Sequence, residues 1–200
     1  MTWITSEPDL EALYGEPSEA AIKKVARRIT PAYRAWIVRS RFCLLATVGP
    51  EGTDCSPRGD DGPVVTELDP GTLAMPDWRG NNRMDTLRNI VRNGQISLTF
   101  LVPGATDLVR VNGMARINVD PEMLARFERR GVQPRSVIVV TVSEVYAQCG
   151  RALMRAGIWS RDDAEGLPTM GDILKEMTQG AFDGESYDAA WDKRANATMW

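Results

Sequence analysis

Apolar and polar positions follow two rhythms along this chain, and the change from one to the other comes at residue 42. Before it the rhythm is helical. After Pro17, the run Ser18–Ile29 keeps Ala21, Ile22, Val25 and Ile29 at helical spacing. Pro31 breaks or restarts that helix, and Ala32–Arg41 continues it. From Phe42 the pattern reads as short strands. The first is Phe42–Val48, closed by the turn signal Gly49-Pro-Glu-Gly-Thr. Further strands are predicted at Thr53–Pro57, at Val64–Leu68 leading into an Asp69-Pro-Gly-Thr turn, and at Thr72–Met75, stopping at Pro76. A short helix follows, then strands at Gln95–Val102 and Leu108–Ile117. Asp120-Pro-Glu-Met opens a helix, with proline near its first turn and acids at its positive end. Ser136–Gln148 is the last strand, and the remaining residues read as helices and loops.

Six or more short antiparallel strands with turns between them indicate a small barrel or sandwich. There is no βαβ alternation and no Gly-x-Gly-x-x-Gly, which disfavours a Rossmann fold. No internal repeat is present. The pattern therefore predicts one mainly β domain over 1–200. It has an N-terminal helical segment (1–41), an antiparallel barrel (42–148), and C-terminal helices with a tail (149–200).

Composition adds mostly exclusions. Hydrophobic residues make up 43% and charged residues 26%, ordinary values for a chain that buries a core. The net charge of −3 argues against a general nucleic-acid binder. Arginine far outnumbers lysine, which suits planar contacts to phosphate or carboxylate but also follows from GC-rich coding. Histidine is absent, so Ser-His-Asp and Cys-His catalysis and His-containing zinc sites are excluded. The cysteines, Cys43, Cys55 and Cys149, are too far apart for a Cys-x-x-Cys pair, and no carboxylate cluster suggests a metal. Their odd count and the acidic, non-apolar Met1–Gly15 stretch point to reduced thiols in the cytoplasm. The longest apolar runs, Ile96–Pro103 and Val137–Val142, are strand-sized, so no membrane span is expected. In such a chain Asn196-Ala-Thr and Arg58-Gly-Asp are chance matches to glycosylation and integrin signals.

Chemistry concentrates between Ser56 and Ile90. Ser56-Pro-Arg-Gly-Asp-Asp ends one strand, and Met75-Pro-Asp-Trp-Arg-Gly-Asn-Asn-Arg-Met-Asp-Thr-Leu-Arg-Asn-Ile gives a strand, a glycine turn and a helix. Asn81 or Asn82 is expected as the N-cap, with Met84, Leu87, Ile90 and Val91 as the buried stripe and Asn93-Gly94 as the stop. A helix start offers free N–H donors and partial positive charge, which suits a phosphate. Arg83 and Thr86 share one face there, Gly80 leaves room for close approach, and Arg58 adds a second guanidinium. The set suits a singly phosphorylated ligand, since no Gly-x-x-x-x-Gly-Lys-[Ser/Thr] is present. The same features also occur in capped helices that bind nothing.

The order strand, Ser-Pro-Arg-Gly-Asp, hairpin, Pro-Asp-x-x-Gly-Asn-Asn-Arg-x-Asp-Thr-Leu-Arg-Asn-Ile, strand, Leu-Val-Pro-Gly, and a strand through Arg110-Val-Asn-Gly resembles the pyridoxamine 5′-phosphate oxidase-like FMN-binding class. Within that class it is most similar to a bacterial subgroup whose substrates are mostly unassigned. The likeness covers roughly Arg41–Trp159, with Cys149-Gly-Arg-Ala-Leu-Met-Arg as a further shared stretch. It implies a split β-barrel, Greek-key-like, forming a homodimer with FMN at the interface. It further implies an FMN-dependent oxidoreductase acting on a small molecule, with a non-catalytic flavin- or cofactor-binding module as the alternative. By the same resemblance Arg58, Asn82, Arg83 and Thr86 hold the phosphate, while Pro76 and Asp77 pass the ribityl chain and flavin edge. Arg110 either faces the isoalloxazine or points outward, because strand side chains alternate. Trp159 and Ser160 are implied as contacts across the dimer, or Trp159 packs the C-terminal helices. The Arg-x-His element that holds substrate in true pyridoxamine 5′-phosphate oxidases is missing, so vitamin B6 oxidation does not transfer. No catalytic residue is assigned, and a flavin needs no histidine.

Overall fold

The computed structural model describes all 200 residues. Its elements are α1 (Glu7–Tyr14), α2 (Glu19–Lys23), α3 (Pro31–Ile37), β1 (Phe42–Gly49), β2 (Gly52–Gly59), β3 (Thr66–Asp69), β4 (Thr72–Asp77) and α4 (Asp85–Arg92). There follow β5 (Gln95–Leu101), β6 (Leu108–Asn118), α5 (Pro121–Ala125), β7 (Ser136–Gln148), α6 (Arg151–Ala156), α7 (Met170–Met177), α8 (Gly184–Ala189) and α9 (Trp191–Ala197). The fold is mainly β with helices at both ends.

Hydrogen bonds to the barrel shorten the expected N-terminal helix. Only α2 forms. Beyond it, Ala26 exchanges two backbone bonds with Val145 of β7 (2.9 and 2.8 Å), and Ile29 donates to the Pro70 carbonyl at 2.7 Å. Ile29 is thereby buried, whereas Ile22 and Val25 stay exposed. Pro31 starts α3 at its first turn, where a missing N–H costs nothing, and the Thr30 hydroxyl caps it at the Tyr33 N–H.

All strand pairings are antiparallel, in the order β2-β1-β5-β6-β7-β4-β3. Alternate residues point to one interior. Cys43 and Leu45 of β1, Leu98 and Phe100 of β5, Val109 and Val111 of β6, Ile138 and Val140 of β7, and Leu73 and Met75 of β4 all lie in one core cluster. The opposite face of β4 and β7 is covered by Phe127 against Ala74 and Val137.

In strand order β2 and β4 stand five places apart, about 24 Å if the sheet were flat. Yet Arg58 of β2 and Asp77 of β4 form an ion pair at 2.9 Å. The sheet must therefore curl until its ends meet. No ladder joins β2 to β4 or β3, so the barrel is split and its seam is crossed by side chains and loops.

Two proline positions explain the strand ends. β4 continues through Pro76 to Asp77, past the predicted stop, because β3 pairs only as far as Ala74. Beyond that point β4 has a neighbour only on its β7 side, so the missing N–H of Pro76 need break no ladder. Pro57 lies in β2, an edge strand, for the same reason. β3 starts at Thr66, not Val64. Val64 and Val65 are buried outside any ladder, and Val64 donates to the Ser40 carbonyl at 2.9 Å.

Candidate functional site

The smaller of two clefts along the seam, about 430 Å³, lies between the inner face of β2, the end of β4 and the start of α4. Its position follows from local chemistry. In β2, Asp54, Ser56 and Arg58 sit opposite Thr47, Leu45 and Cys43, and so share the interior face of β1. α4 is pinned above them by Asn89, whose buried amide donates to the Thr47 hydroxyl at 3.1 Å. Gly49 permits this approach, because a Cβ there would lie 2.0 Å from Asn89 Oδ1.

The start of α4 differs from the sequence expectation. Neither Asn81 nor Asn82 caps it. The helix begins at Asp85 after Met84, and no side chain bonds its first N–H groups. Asn81 instead accepts from the Arg83 N–H at 2.9 Å in a local turn, and Asn82 is held at a φ of 60°, a conformation asparagine tolerates. The buried positions of α4 are Thr86, Asn89 and Ile90, with Leu87 half-buried, while Met84 and Val91 are exposed. The expected stripe was misplaced because polar Thr86 and Asn89 are buried through partners on the barrel. Asn93-Gly94 does end the helix, with Gly94 at a φ of 80°.

Around this uncapped start the structure gathers Arg58, Asp77, Asn82, Arg83 and Thr86, five of the nine expected site residues. Arg58 donates to Asp77, and its Nε is buried with no partner. Burial pushes the Asp77 carboxyl above the usual aspartate range, more than the neighbouring Arg58 and Arg135 cations pull it down. The Asn82 amide oxygen accepts from Arg135 at 3.1 Å. Thr86 donates its hydroxyl to Asp54. The Arg83 side chain is mostly exposed and held by Asp85 at 2.6 Å, which raises its pKa further. Pro76 lines the neighbouring larger cleft, about 870 Å³, which shares Arg58 and the Trp78–Asn81 turn with the first. Around Gly80 the space is open, with no atom within 4 Å of a would-be Cβ.

Arg110, Trp159 and Ser160 line neither cleft. Between the core residues Val109 and Val111, Arg110 points away from the barrel interior, where it reaches Ser97 and Gln148 at 3.3 and 3.4 Å and lies 5.6 Å from the Tyr146 ring centre. Its Nε and the nearby Asn112 Oδ1 are buried without partners. Trp159 donates to the Ala105 carbonyl at 2.7 Å, and Ser160 donates to the Gly157 carbonyl at 3.1 Å. Sequence reading missed Asp54 and Arg135. Both meet their partners across more than thirty residues of chain, so no local pattern marks them.

The donor set fits a phosphorylated cofactor. An uncapped helix start, Arg58, whose buried Nε lacks an acceptor, and Arg135 line one cleft, together with the Asp54 and Asp77 carboxylates. Fold and site thus define a split barrel with an arginine-rich cleft on its seam. Residues 29–149 match the model of the pyridoxamine 5′-phosphate oxidase family, and the chain belongs to that family, whose members typically bind flavin nucleotides. Among solved structures it is similar to HupZ from Group A Streptococcus, with 20% identity over 60% of this chain and 94% of that one and a TM-score of 0.49. A pyridoxamine 5′-phosphate oxidase candidate from Lactobacillus delbrueckii shows 22% identity over 60% of this chain and 95% of that one, at 0.47. General stress protein 26 from Bacillus anthracis shows 17% over 57% and 88%, at 0.45. No match was found among curated proteins. No helix is long and apolar enough to cross a membrane, and no cluster of potential metal ligands is present.

Proposed function

We propose that this chain is an FMN-dependent oxidoreductase acting on a small molecule as a cytoplasmic homodimer. The observation that carries the reading is the smaller cleft, where the uncapped α4 start and Arg58, whose buried Nε has no partner, line the same space in a member of this family. Arg58, Asn82, Arg83 and Thr86 bind the phosphate, Arg83 exchanging Asp85 for it. Pro76 and Asp77 flank the rest of the cofactor at the β4 end. Bound flavin supplies hydride or electron transfer, which needs no protein nucleophile. The chain's own work is to bind, orient and shield. Arg110, Trp159 and Ser160 line neither cleft of their own chain; in this reading they contact the cofactor from the second copy of the homodimer.

The test is the ligand content of purified protein, read by absorption spectrum and mass of the released molecule, together with size in solution. Arg58→Ala is expected to weaken FMN binding about 10- to 100-fold, the worth of one or two charge-assisted hydrogen bonds. Protein that neither carries flavin nor binds added FMN overturns the reading, as does a deazaflavin or haem found in its place. Flavin that binds but is never reoxidised by any small molecule after anaerobic reduction leaves a binding module instead of an enzyme.

A further inference from the structure

The C-terminal helices stand apart from the barrel. No hydrogen bond or ion pair joins residues 161–200 to the rest of the chain. α7, α8 and α9 pack chiefly against one another. Trp159, bonded to the Ala105 carbonyl, is the last anchor before them, and every residue from 160 to 170 is exposed. Within that stretch Gly166 has a φ of 77°, the left-handed region that glycine enters at no steric cost.

The three helices nonetheless form one body. α7 and α8 cross at Gly171 and Gly184, where a Cβ on either would lie 2.3 Å from the other's carbonyl oxygen. Asp188 accepts from the Gly171 N–H at 2.9 Å, and the Arg194 guanidinium lies 4.2 Å from the Tyr187 ring centre. Those two glycines are the unit's only buried residues, so no apolar core welds it to the barrel. Contact with the barrel returns at the far end. Asn196, Met199 and Trp200 line the larger cleft, and Trp200 meets Trp78 edge to face, with ring centres 5.1 Å apart and planes at 82°. Trp78 itself is fixed, since its indole N–H donates at 2.9 Å to Asp60, whose side chain is only 2% exposed. Beyond the area it covers, an edge-to-face pair shifts an equilibrium by about 2- to 13-fold. That favours contact without locking it.

We propose that α7–α9 is a lid on the larger cleft, hinged at 160–169 and held shut by the Trp78–Trp200 pair. The two clefts share Arg58 and the Trp78–Asn81 turn, so the lid governs entry to the whole seam. The inference rests on the flavin reading only for what the lid admits.

The experiment places spin labels on Lys175→Cys of α7 and Glu122→Cys of α5, in a Cys55→Ser, Cys149→Ser background, and measures the distances between them. Two distances are expected, with the ratio of the minor to the major rising about 2- to 13-fold in Trp200→Leu and staying near the parent in Trp200→Phe. In rapid mixing with FMN, Trp200→Leu should raise the association and dissociation rates together and leave Kd nearly unchanged, since a lid alters passage and not the bound contacts. A single distance, the same in parent and Trp200→Leu, overturns the proposal. So does a shift in distances while FMN enters at the parent rate, which would make the unit mobile but no gate. Protein that takes up no FMN yet shows the second distance growing in Trp200→Leu sinks the cofactor reading and leaves the lid standing.

Discussion

Arg58 and Asp77 meet at the seam, and their pairing has a measurable consequence. Because burial raises the Asp77 pKa above the ordinary aspartate value of about 3.9, proton uptake favours the folded state. Asp77's contribution to stability is complete below that ordinary value and is lost as pH rises through the raised one. The melting temperature of Asp77→Asn relative to the parent should therefore shift in the variant's favour as pH rises from about 4, then level off. A trend in the other direction would mean that Arg58 outweighs burial. The substitution also releases the Arg58 guanidinium from its acid, so inorganic phosphate should bind the variant more tightly than the parent. Cys43 is a second residue governed by burial, which pushes its thiol up to about 12. Alkylation of native protein should modify the exposed Cys55 and Cys149 and spare Cys43 until denaturant is added, as read by mass spectrometry.

Elements were legible in the sequence where their own alternation decided them, and illegible where a partner did. β7 matches its predicted limits, Ser136–Gln148, because its alternation and the flanking turns agree. The end of β4 and the start of α4 were misjudged for a common reason. Whether Pro76 interrupts a strand depends on where β3 stops, and whether Thr86 and Asn89 are buried depends on Asp54 and Thr47 across the barrel. The gathering of Arg58, Asn82, Arg83 and Thr86 was nonetheless legible, since the four converge on one cleft; what failed was the capping argument. The missing cap leaves more donors free at the cleft than a capped start would. The β6 bulge between Asn112 and Gly113 offers a test at this scale. A Cβ on Gly113 would lie 2.1 Å from the Thr141 carbonyl oxygen. Gly113→Ala should therefore cost about 3 kcal/mol or more in denaturant unfolding, with amide-exchange protection lost first along β6 and β7.

For the whole molecule, stability and the proposed cofactor site draw on different parts. The core runs across β1, β5, β6, β7 and β4 through side chains such as Phe100, which is fully buried. Phe100→Ala should lower unfolding free energy by about 3–5 kcal/mol, whereas Arg58→Ala at the seam should cost far less stability and far more flavin. If both variants lose stability equally, the seam is part of the core and the division fails.

A barrel that stops short of closure also leaves two strand rims, β2 and β3, with backbone groups open to any passing chain. This molecule blunts both. β3 is four residues long and irregular between Glu67 and Asp69, and β2 carries Pro57 in its outer half. The proline of the Ser-Pro-Arg-Gly-Asp stretch thus blocks strand-to-strand pairing with another sheet edge right beside the seam clefts. In a crowded cell, a gap left in a barrel invites aggregation, and here the residue that lines the gap, Arg58, and the residue that guards its rim, Pro57, are neighbours on one strand.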